Sequence, residues 1–477
     1  MTTSETWRKT LSANREHHTR LRPDLRELLE RIIERLKNNT SPPQLVLFVF
    51  FVLIWIGAVL LTLPAASASG KSIGLLDALF TATSAVCVNG LIVVDTGSVF
   101  STFGQVVIML LIQIGGLGFM TFGVVVAIVL GKRIGLKQRL IIQQTTQSST
   151  AQGLVKLSIY MVVIALSFEL LATAILTLRW QDEMGPGQAL YYGLFHAVSA
   201  FNNAGFALWS DSLTPHVGDP VVNLTIIVLF VIGGLGYIVV LELFRKRSWR
   251  KLSLHSKIVL LSSGVLSVVG FIFLLLIESW NPATFGGLNF GERMMAALFQ
   301  GMAPRSAGFN TIDIASMLQT SQFLIIILMF IGAASGGTGG GIKINTFVVL
   351  VLATLQTFRG GGQVHAFGRR VDSAAVLRAL AVTMSSLAFV LVTALLLTVS
   401  EGMLKEHFLE VLFEATSAFS TTGLSMGLTS DLSPAGKVIL TFAMYLGRLG
   451  PLTLAFALAQ KKRTSKIGYP EDNVLIG

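Results

Sequence analysis

The stretch FTATSAVCVNGL, residues 80–91, decides the reading of this chain, because three other stretches share its register. They are FHAVSAFNNAGF at 195–206, LFQGMAPRSAGF at 298–309 and FEATSAFSTTGL at 413–424. Their glycines, Gly90, Gly205, Gly308 and Gly423, lie 115, 103 and 115 residues apart, as expected of an internal repeat. Each stretch follows one long apolar run and precedes another, at 105–130, 221–243, 322–358 and 435–459. The unit reads as outer helix, short helix, glycine turn, inner helix.

The preceding runs, Leu45 to Leu63, Leu157 to Leu178, Ile258 to Ile277 and Ala375 to Val399, have the length of bilayer-spanning helices. With 52% hydrophobic and 13% charged residues, the 477-residue chain is too apolar for one soluble core and belongs in lipid. The short helices are different. About ten residues of helix cannot cross a hydrocarbon core roughly 30 Å thick, so each must return to its own side. The fold class expected is an all-α integral membrane protein with four M1–pore loop–M2 repeats around one pore. That gives about eight transmembrane helices plus four re-entrant pore helices. The repeats fall at 45–130, 157–243, 257–358 and 375–460, with pore loops at 76–95, 188–210, 292–313 and 408–428. A basic cytoplasmic segment, 1–44, precedes them and a cytoplasmic tail, 461–477, follows.

The formal charge of +11 reports topology. With the N-terminus inside, the cytoplasmic segments 1–44, 131–156, 242–257, 343–378 and 460–477 hold 29 Lys/Arg and 10 Asp/Glu, leaving 7 and 15 elsewhere. This is the positive-inside asymmetry, with contact to anionic headgroups, and no nucleic-acid footprint. The first 44 residues lack the apolar core of a signal peptide. Arg22 to Lys37 reads as an amphipathic helix on the inner membrane face or against a partner, or as a solvated tail. The single cysteine, Cys87, excludes an internal disulfide and a multi-cysteine metal site. No paired carboxylates, His–Ser couple or clustered histidines suggest an enzyme.

Backbone that leaves a helix at membrane depth must line a wet cavity or be buried in protein. Four glycine turns meeting on one axis would line a pore. Each short helix points its C-terminal carbonyls at its turn, which favours cations there. The turns are Val88-Asn89-Gly90, Asn203-Ala204-Gly205, Ser306-Ala307-Gly308 and Thr421-Thr422-Gly423. They carry no acidic side chain, so selectivity must come from rings of backbone carbonyls. Glycine lets such a carbonyl reach the axis without a Cβ in the way.

The third inner run contains Gly332 and the sequence Gly336-Gly337-Thr338-Gly339-Gly340-Gly341-Ile342-Lys343. Each glycine costs about 0.8–1.0 kcal/mol relative to alanine in a helix interior, so the helix should break over 331–343. A nucleotide-binding loop is excluded by the missing strand and the missing Gly-Lys-Ser/Thr ending. Arg448 falls midway along the fourth inner helix, where a charge costs roughly 2.5–3.5 kcal/mol on insertion scales, so it should face the aqueous pathway or a partner. Glu169, equally deep, should pair with a polar group between helices. Gly115-Gly116-Leu117-Gly118 and Gly233-Gly234-Leu235-Gly236 permit close packing or leave room for the pathway, the former being favoured.

On the motifs TATSAVCVNGLIVVDTGS, FHAVSAFNNAGF, APRSAGFNTID and FEATSAFSTTGLS, the chain resembles the Ktr/Trk/HKT superfamily of potassium transporters, and within it the bacterial KtrB type, over residues 45 to 460. The resemblance implies K⁺ as the transported ion, coordinated by main-chain oxygens at the twelve turn residues. Glycine in all four turns is similar to the K⁺-selective members; Asn89 stands where the family often has threonine. It implies that the broken third helix is an intramembrane gate, comprising Gly336, Gly337, Thr338, Gly339, Gly340, Gly341 and Lys343 with Arg448 beside it. It further implies a homodimer in the bacterial inner membrane on a cytosolic ring of nucleotide-binding, KtrA-like (RCK) subunits. ATP or ADP would bind that ring, and this chain would carry no cofactor. The basic loops 245–257 and 359–378 and the tail 460–466 are the contact surfaces expected. The rival is a Na⁺- or H⁺-coupled K⁺ transporter, for which Glu169 is the acidic candidate.

Overall fold

The computed structural model describes residues 42–118, 154–361, 363–403 and 407–450. The expected N-terminal segment 1–41, the loop 131–153 and the tail 461–477 lie outside them. Four described helices are long and apolar enough to cross a membrane, at 44–62, 158–184, 254–278 and 373–400, where the sequence places the outer helices. They belong to α1 (Pro42–Thr62), α4 (Leu154–Met184), α8 (Leu254–Glu278) and α12 (Ser373–Ser400). Leu170, Leu178, Leu276 and Leu395 stand exposed on them, the apolar surface that lipid would cover.

The short helices are α2 (Leu75–Cys87), α5 (Pro186–Phe201), α9 (Phe290–Met302) and α13 (Phe408–Ser420). Inner helices follow as α3 (Thr102–Leu117), α6 (Pro220–Leu235), α10 (Gln319–Phe330) and α14 (Pro434–Leu449). Packing is cyclic. Each short helix lies against the outer helix of its own unit and the inner helix of the unit before it: α5 on α3, α9 on α6, α13 on α10 and, closing the circle, α2 on α14. Lys437 of α14 pairs with Asp77 of α2 at 2.6 Å across that last seam.

The inner helices are shorter than their hydropathy suggests. Sixteen residues of α3, α6 or α14 reach about 24 Å. Each ends at a glycine of positive φ, Gly118, Gly236 and Gly450. The expected single helix over 221–243 is two helices, α6 and α7 (Tyr237–Lys246), bent by 98°. Gly233-Gly234-Leu235-Gly236 suits close packing in an unbroken helix as well as a break, and what decides for the break is tertiary. The glycine-rich loop of the third unit wedges under α6, and Tyr237 N donates to Gly336 O at 3.3 Å. The third inner helix breaks as expected, with α10 and α11 (Ile344–Phe358) flanking the loop. Residues 119–130 and 451–459, read as the inner halves of the first and fourth, lie outside the described residues. A small hairpin, β1 (His365–Ala366) with β2 (Arg369–Arg370), precedes α12.

The paired glycines work as close-packing positions. A Cβ on Gly115, Gly233 or Gly447 would strike the carbonyl oxygen of Val86, Phe201 or Phe419, each four residues before a turn glycine. Gly233→Ala should therefore cost about 1–3 kcal/mol by overpacking, read as a lower thermal midpoint of the detergent-purified protein. An unchanged midpoint would show that this contact has slack.

Candidate ion pathway

Three of the four short helices end alike. In units 1, 2 and 4 the C-terminal turn closes with paired bonds, Asn89 N to Ser84 O at 2.8 Å and Val88 N to Ala85 O at 3.1 Å in the first. The equivalents in the second run from Ala204 N to Ser199 O and from Asn203 N to Ala200 O; in the fourth, from Thr422 N to Ser417 O and from Thr421 N to Ala418 O. This is the Schellman closure, which needs a left-handed residue and usually takes glycine. Here Val88, Asn203, Ser306 and Thr421 hold φ of 56°, 60°, 66° and 47°, at about 1–2 kcal/mol each. Two residues on, Gly90, Gly205, Gly308 and Gly423 again have positive φ, 96°, 72°, 75° and 86°. The residue between keeps φ negative. Alternating signs rotate successive peptide planes so that carbonyls which would alternate in a strand face one side.

The turns form a closed ring. Ala204 O faces Gly90, Ala307 O faces Gly205, Thr422 O faces Gly308 and Asn89 O faces Gly423. A Cβ on Gly90 would lie 2.5 Å from Ala204 O, and one on Gly308 would lie 2.7 Å from Thr422 O. The structure thus brings all twelve predicted turn residues together. Asn89 turns its side chain away from the ring: Nδ2 donates to Ala418 O at 2.9 Å and Ser417 O at 3.3 Å, tying unit 1 to the end of α13.

Above the ring lies a cavity of about 700 Å³ floored by the four glycines and bordered by Asp95, Asp211 and Asp313. Composition alone did not point to these aspartates; their recurrence five or six residues after a turn glycine was the available signal. The short helices also brace the segments that follow the turns. His196 Nε2 accepts from Leu208 N at 3.3 Å. Glu414, fully buried, accepts from Met426 N at 3.1 Å, from Thr429 Oγ1 at 2.6 Å and from Ser425 Oγ. Both stand nine residues before their glycine, in a column of the repeat the sequence reading did not follow.

Below the ring, the loop over 331–343 crosses under the turns. Thr338 Oγ1 donates to Asn203 Oδ1 at 2.7 Å and Thr338 N to Gly233 O at 3.2 Å. Gly339 packs against Ser306, and Gly340 against Thr421. Gly337 sits on Gly234 O, while Gly336 and Gly341 take positive φ at the bends. Lys343 Nζ donates to Gly339 O at 2.6 Å. Arg448 holds the loop from the side: Nη1 donates to Thr338 O and Nη2 to Gly115 O at 2.5 Å. The predicted gate residues are therefore contiguous, and Arg448 has carbonyl partners rather than an acid. Glu169 meets two amides, accepting from Gln113 Nε2 at 3.2 Å and Asn202 Nδ2 at 3.1 Å. The sequence named no partner for it, because both come from other elements.

A lipid-facing shell around a fourfold ring of carbonyls defines an integral membrane protein built around a pore. Residues 43–466 match the TrkH family, described as cation transport protein. The chain is 44% identical to Ktr system potassium uptake protein B of Bacillus subtilis, over 92% of this chain and 97% of that one. It is 43% identical to the protein of the same name from Vibrio alginolyticus, over 93% and 97%. The crystal structure of the potassium transporter TrkH from Vibrio parahaemolyticus superposes with a TM-score of 0.67 at 20% identity, over 88% of this chain and 86% of that one, a likeness of fold. The chain belongs to the TrkH family of cation transport proteins.

Asn89→Ala removes both bonds to α13 and should destabilise the protein by about 1–2 kcal/mol, measured by thermal unfolding in detergent. No change would mean that the first turn holds its shape without unit 4.

Proposed function

We propose that this chain is the potassium-translocating subunit of an uptake system in a bacterial cytoplasmic membrane, with both termini inside. The carrying observation is the ring in which each turn's carbonyl faces the glycine of the neighbouring unit. Such a ring can replace the hydration shell of a weakly hydrated monovalent cation. Val88, Asn89, Gly90, Asn203, Ala204, Gly205, Ser306, Ala307, Gly308, Thr421, Thr422 and Gly423 are then the filter, in four repeats at 45–130, 157–243, 257–358 and 375–460. The aspartates of the vestibule raise the local cation concentration above it. The names of the two curated relatives support potassium as the ion.

The loop from Gly336 to Lys343 is the gate on this reading, in the closed arrangement, with Arg448 adding a positive charge to its barrier. Inward flux is driven by the membrane potential, worth about 2.3 kcal/mol per charge per 100 mV. Both relatives are named as parts of a Ktr system, which supports a separate regulatory assembly: a homodimer of this chain on a nucleotide-binding ring. The loops 245–257 and 359–378 form one basic surface for it, since Trp249 packs on Phe367 and Lys257 lies over the same ring at 5.8 Å. Residues 460–466, also expected there, lie outside the described residues. Glu169 is held by amides behind the second turn, which favours this pore over the ion-coupled alternative.

Proteoliposomes under a diffusion potential test the filter with ⁸⁶Rb⁺ and ²²Na⁺. Wild type should take up Rb⁺ in competition with K⁺; Gly90→Ser and Gly423→Ser should lose Rb⁺ uptake and admit Na⁺. Flux indifferent to both substitutions overturns the reading. For the gate, Thr338→Val removes the bond to Asn203. It should raise Rb⁺ flux through the isolated chain several-fold, about the effect of one lost hydrogen bond on a closed–open equilibrium. Equal or slower flux would argue that the loop does not close the path.

A further inference from the structure

The four turns share a shape but not the means of holding it. Units 1 and 4 are braced from within, where Ser84 Oγ accepts from Gly90 N and Ser417 Oγ from Gly423 N, both at 3.1 Å. Unit 2 has Ser199 in the same position, yet its hydroxyl finds no partner among the described residues. Unit 3 has Met302 there, which offers no hydroxyl. In these two units the residue three before the glycine reaches out to its own outer helix. Asn202 Nδ2 donates to Glu169 Oε1 on α4 at 3.1 Å, and Arg305 donates to Ser263 O at 3.2 Å and to Ser267 Oγ on α8. Units 1 and 4 carry the short side chains of Cys87 and Ser420 at this position.

The unit 2 tether is the more tightly built. Glu169 is 2% exposed, and no ion pair reaches it among the described residues. One oxygen takes Asn202, the other takes Gln113 Nε2 at 3.2 Å, and Asn202 Nδ2 also donates to Gln113 Oε1 at 2.8 Å. A carboxylate is the acceptor-only group that can serve two amide donors at once. A buried carboxylate without a basic partner is expensive, so a neutral side chain would be the cheaper filling for a helix interface. Asn202 adjoins Asn203, the left-handed residue of the turn, and Ala204, whose carbonyl faces Gly90.

We propose that Glu169 is a specificity-determining positioning residue, which fixes the second turn through Asn202 where a serine hydroxyl fixes the first and fourth. Without it the Asn202 amide keeps only Gln113 Oε1, itself then unanchored, and Val198 O of its own helix at 2.9 Å, so the strained Asn203 relaxes and the Ala204 carbonyl leaves the radius set by its three counterparts. A ring that can contract admits the smaller ion. The proposal rests on reading the turns as the filter.

The Rb⁺/Na⁺ uptake ratio tests it in proteoliposomes with wild type, Glu169→Ala, Glu169→Gln, Asn202→Ala and the double alanine variant. Gly90→Ser reports separately on the filter. Glu169→Ala and Asn202→Ala should each lower the ratio about tenfold, the scale of one hydrogen bond to a charged group. The double variant should fall no further than either single one, since both remove one tether. Glu169→Gln retains one acceptor and should lie nearer wild type. An unchanged ratio in Asn202→Ala, or additive losses in the double variant, overturns the proposal, and Asn202→Ala with Glu169→Gln decides the matter if Glu169→Ala is not recovered folded. If Gly90→Ser also leaves the ratio unchanged, the filter reading itself has failed.

Discussion

The contact between each turn's carbonyl and the glycine of the neighbouring unit is the constraint on which the molecule depends. It recurs as Ala204 on Gly90, Ala307 on Gly205, Thr422 on Gly308 and Asn89 on Gly423. No Cβ fits at any of the four, so glycine there is dictated by the ring as a whole. The cyclic packing of each short helix on the preceding inner helix follows from the same closure, as do the glycines that let α3, α6 and α14 approach the short-helix carbonyls. Left-handed Val88, Asn203 and Thr421 carry conformational strain that the Schellman closures and their braces offset, and Ser306 shares the strain without that closure.

The loop under the ring exploits that packing. An unbroken third inner helix would keep its peptide groups to itself. Broken at the glycine run, it offers Thr338 N to Gly233 O, Thr338 O to Arg448 and Gly336 O to Tyr237 N. Units 2, 3 and 4 thus meet at one segment held largely by backbone bonds, and such bonds exchange with water at modest net cost. Such bonds suit a part that moves, as the gate proposed here would, whereas the ring above is fixed by steric contact. Arg448 places its guanidinium on the carbonyls of Thr338 and Gly115, which leaves its charge uncancelled by an ion pair among the described residues.

Much of this was legible in the sequence. The register of the four stretches gave the unit, the length of the outer runs gave the membrane, and the cost of successive glycines gave the break after Phe330. What stayed hidden depends on partners distant along the chain. The 98° bend after Leu235 is imposed by a loop about a hundred residues later, and the glycines at 233, 234 and 236 suit close packing in an unbroken helix equally well. Glu169 and Arg448 were recognisable as costly, but their partners Asn202, Gln113, Gly115 and Thr338 are ordinary residues until the fold assembles them. Asn89 looked like a departure at the ring and proves to be a strut to α13, because a residue that meets its neighbour at the ring through its main-chain oxygen leaves its side chain free for another task.

That freedom explains how a pseudo-fourfold ring tolerates four different sequences. A filter made of side chains would need four identical residues; one made of carbonyls needs four identical backbones, and a backbone can be held by several means. Asn89 bonds across to α13, Ser84 and Ser417 bond within their turns, and Asn202 and Arg305 reach back to α4 and α8. Single-chain repeats are released from the identity that a tetramer of one gene product imposes. The second and third units can therefore spend their turn-flanking positions on attachments to the outer helices. The loop that lies against the turns of units 2, 3 and 4 also belongs to only one unit, an asymmetry that a symmetric tetramer could not build.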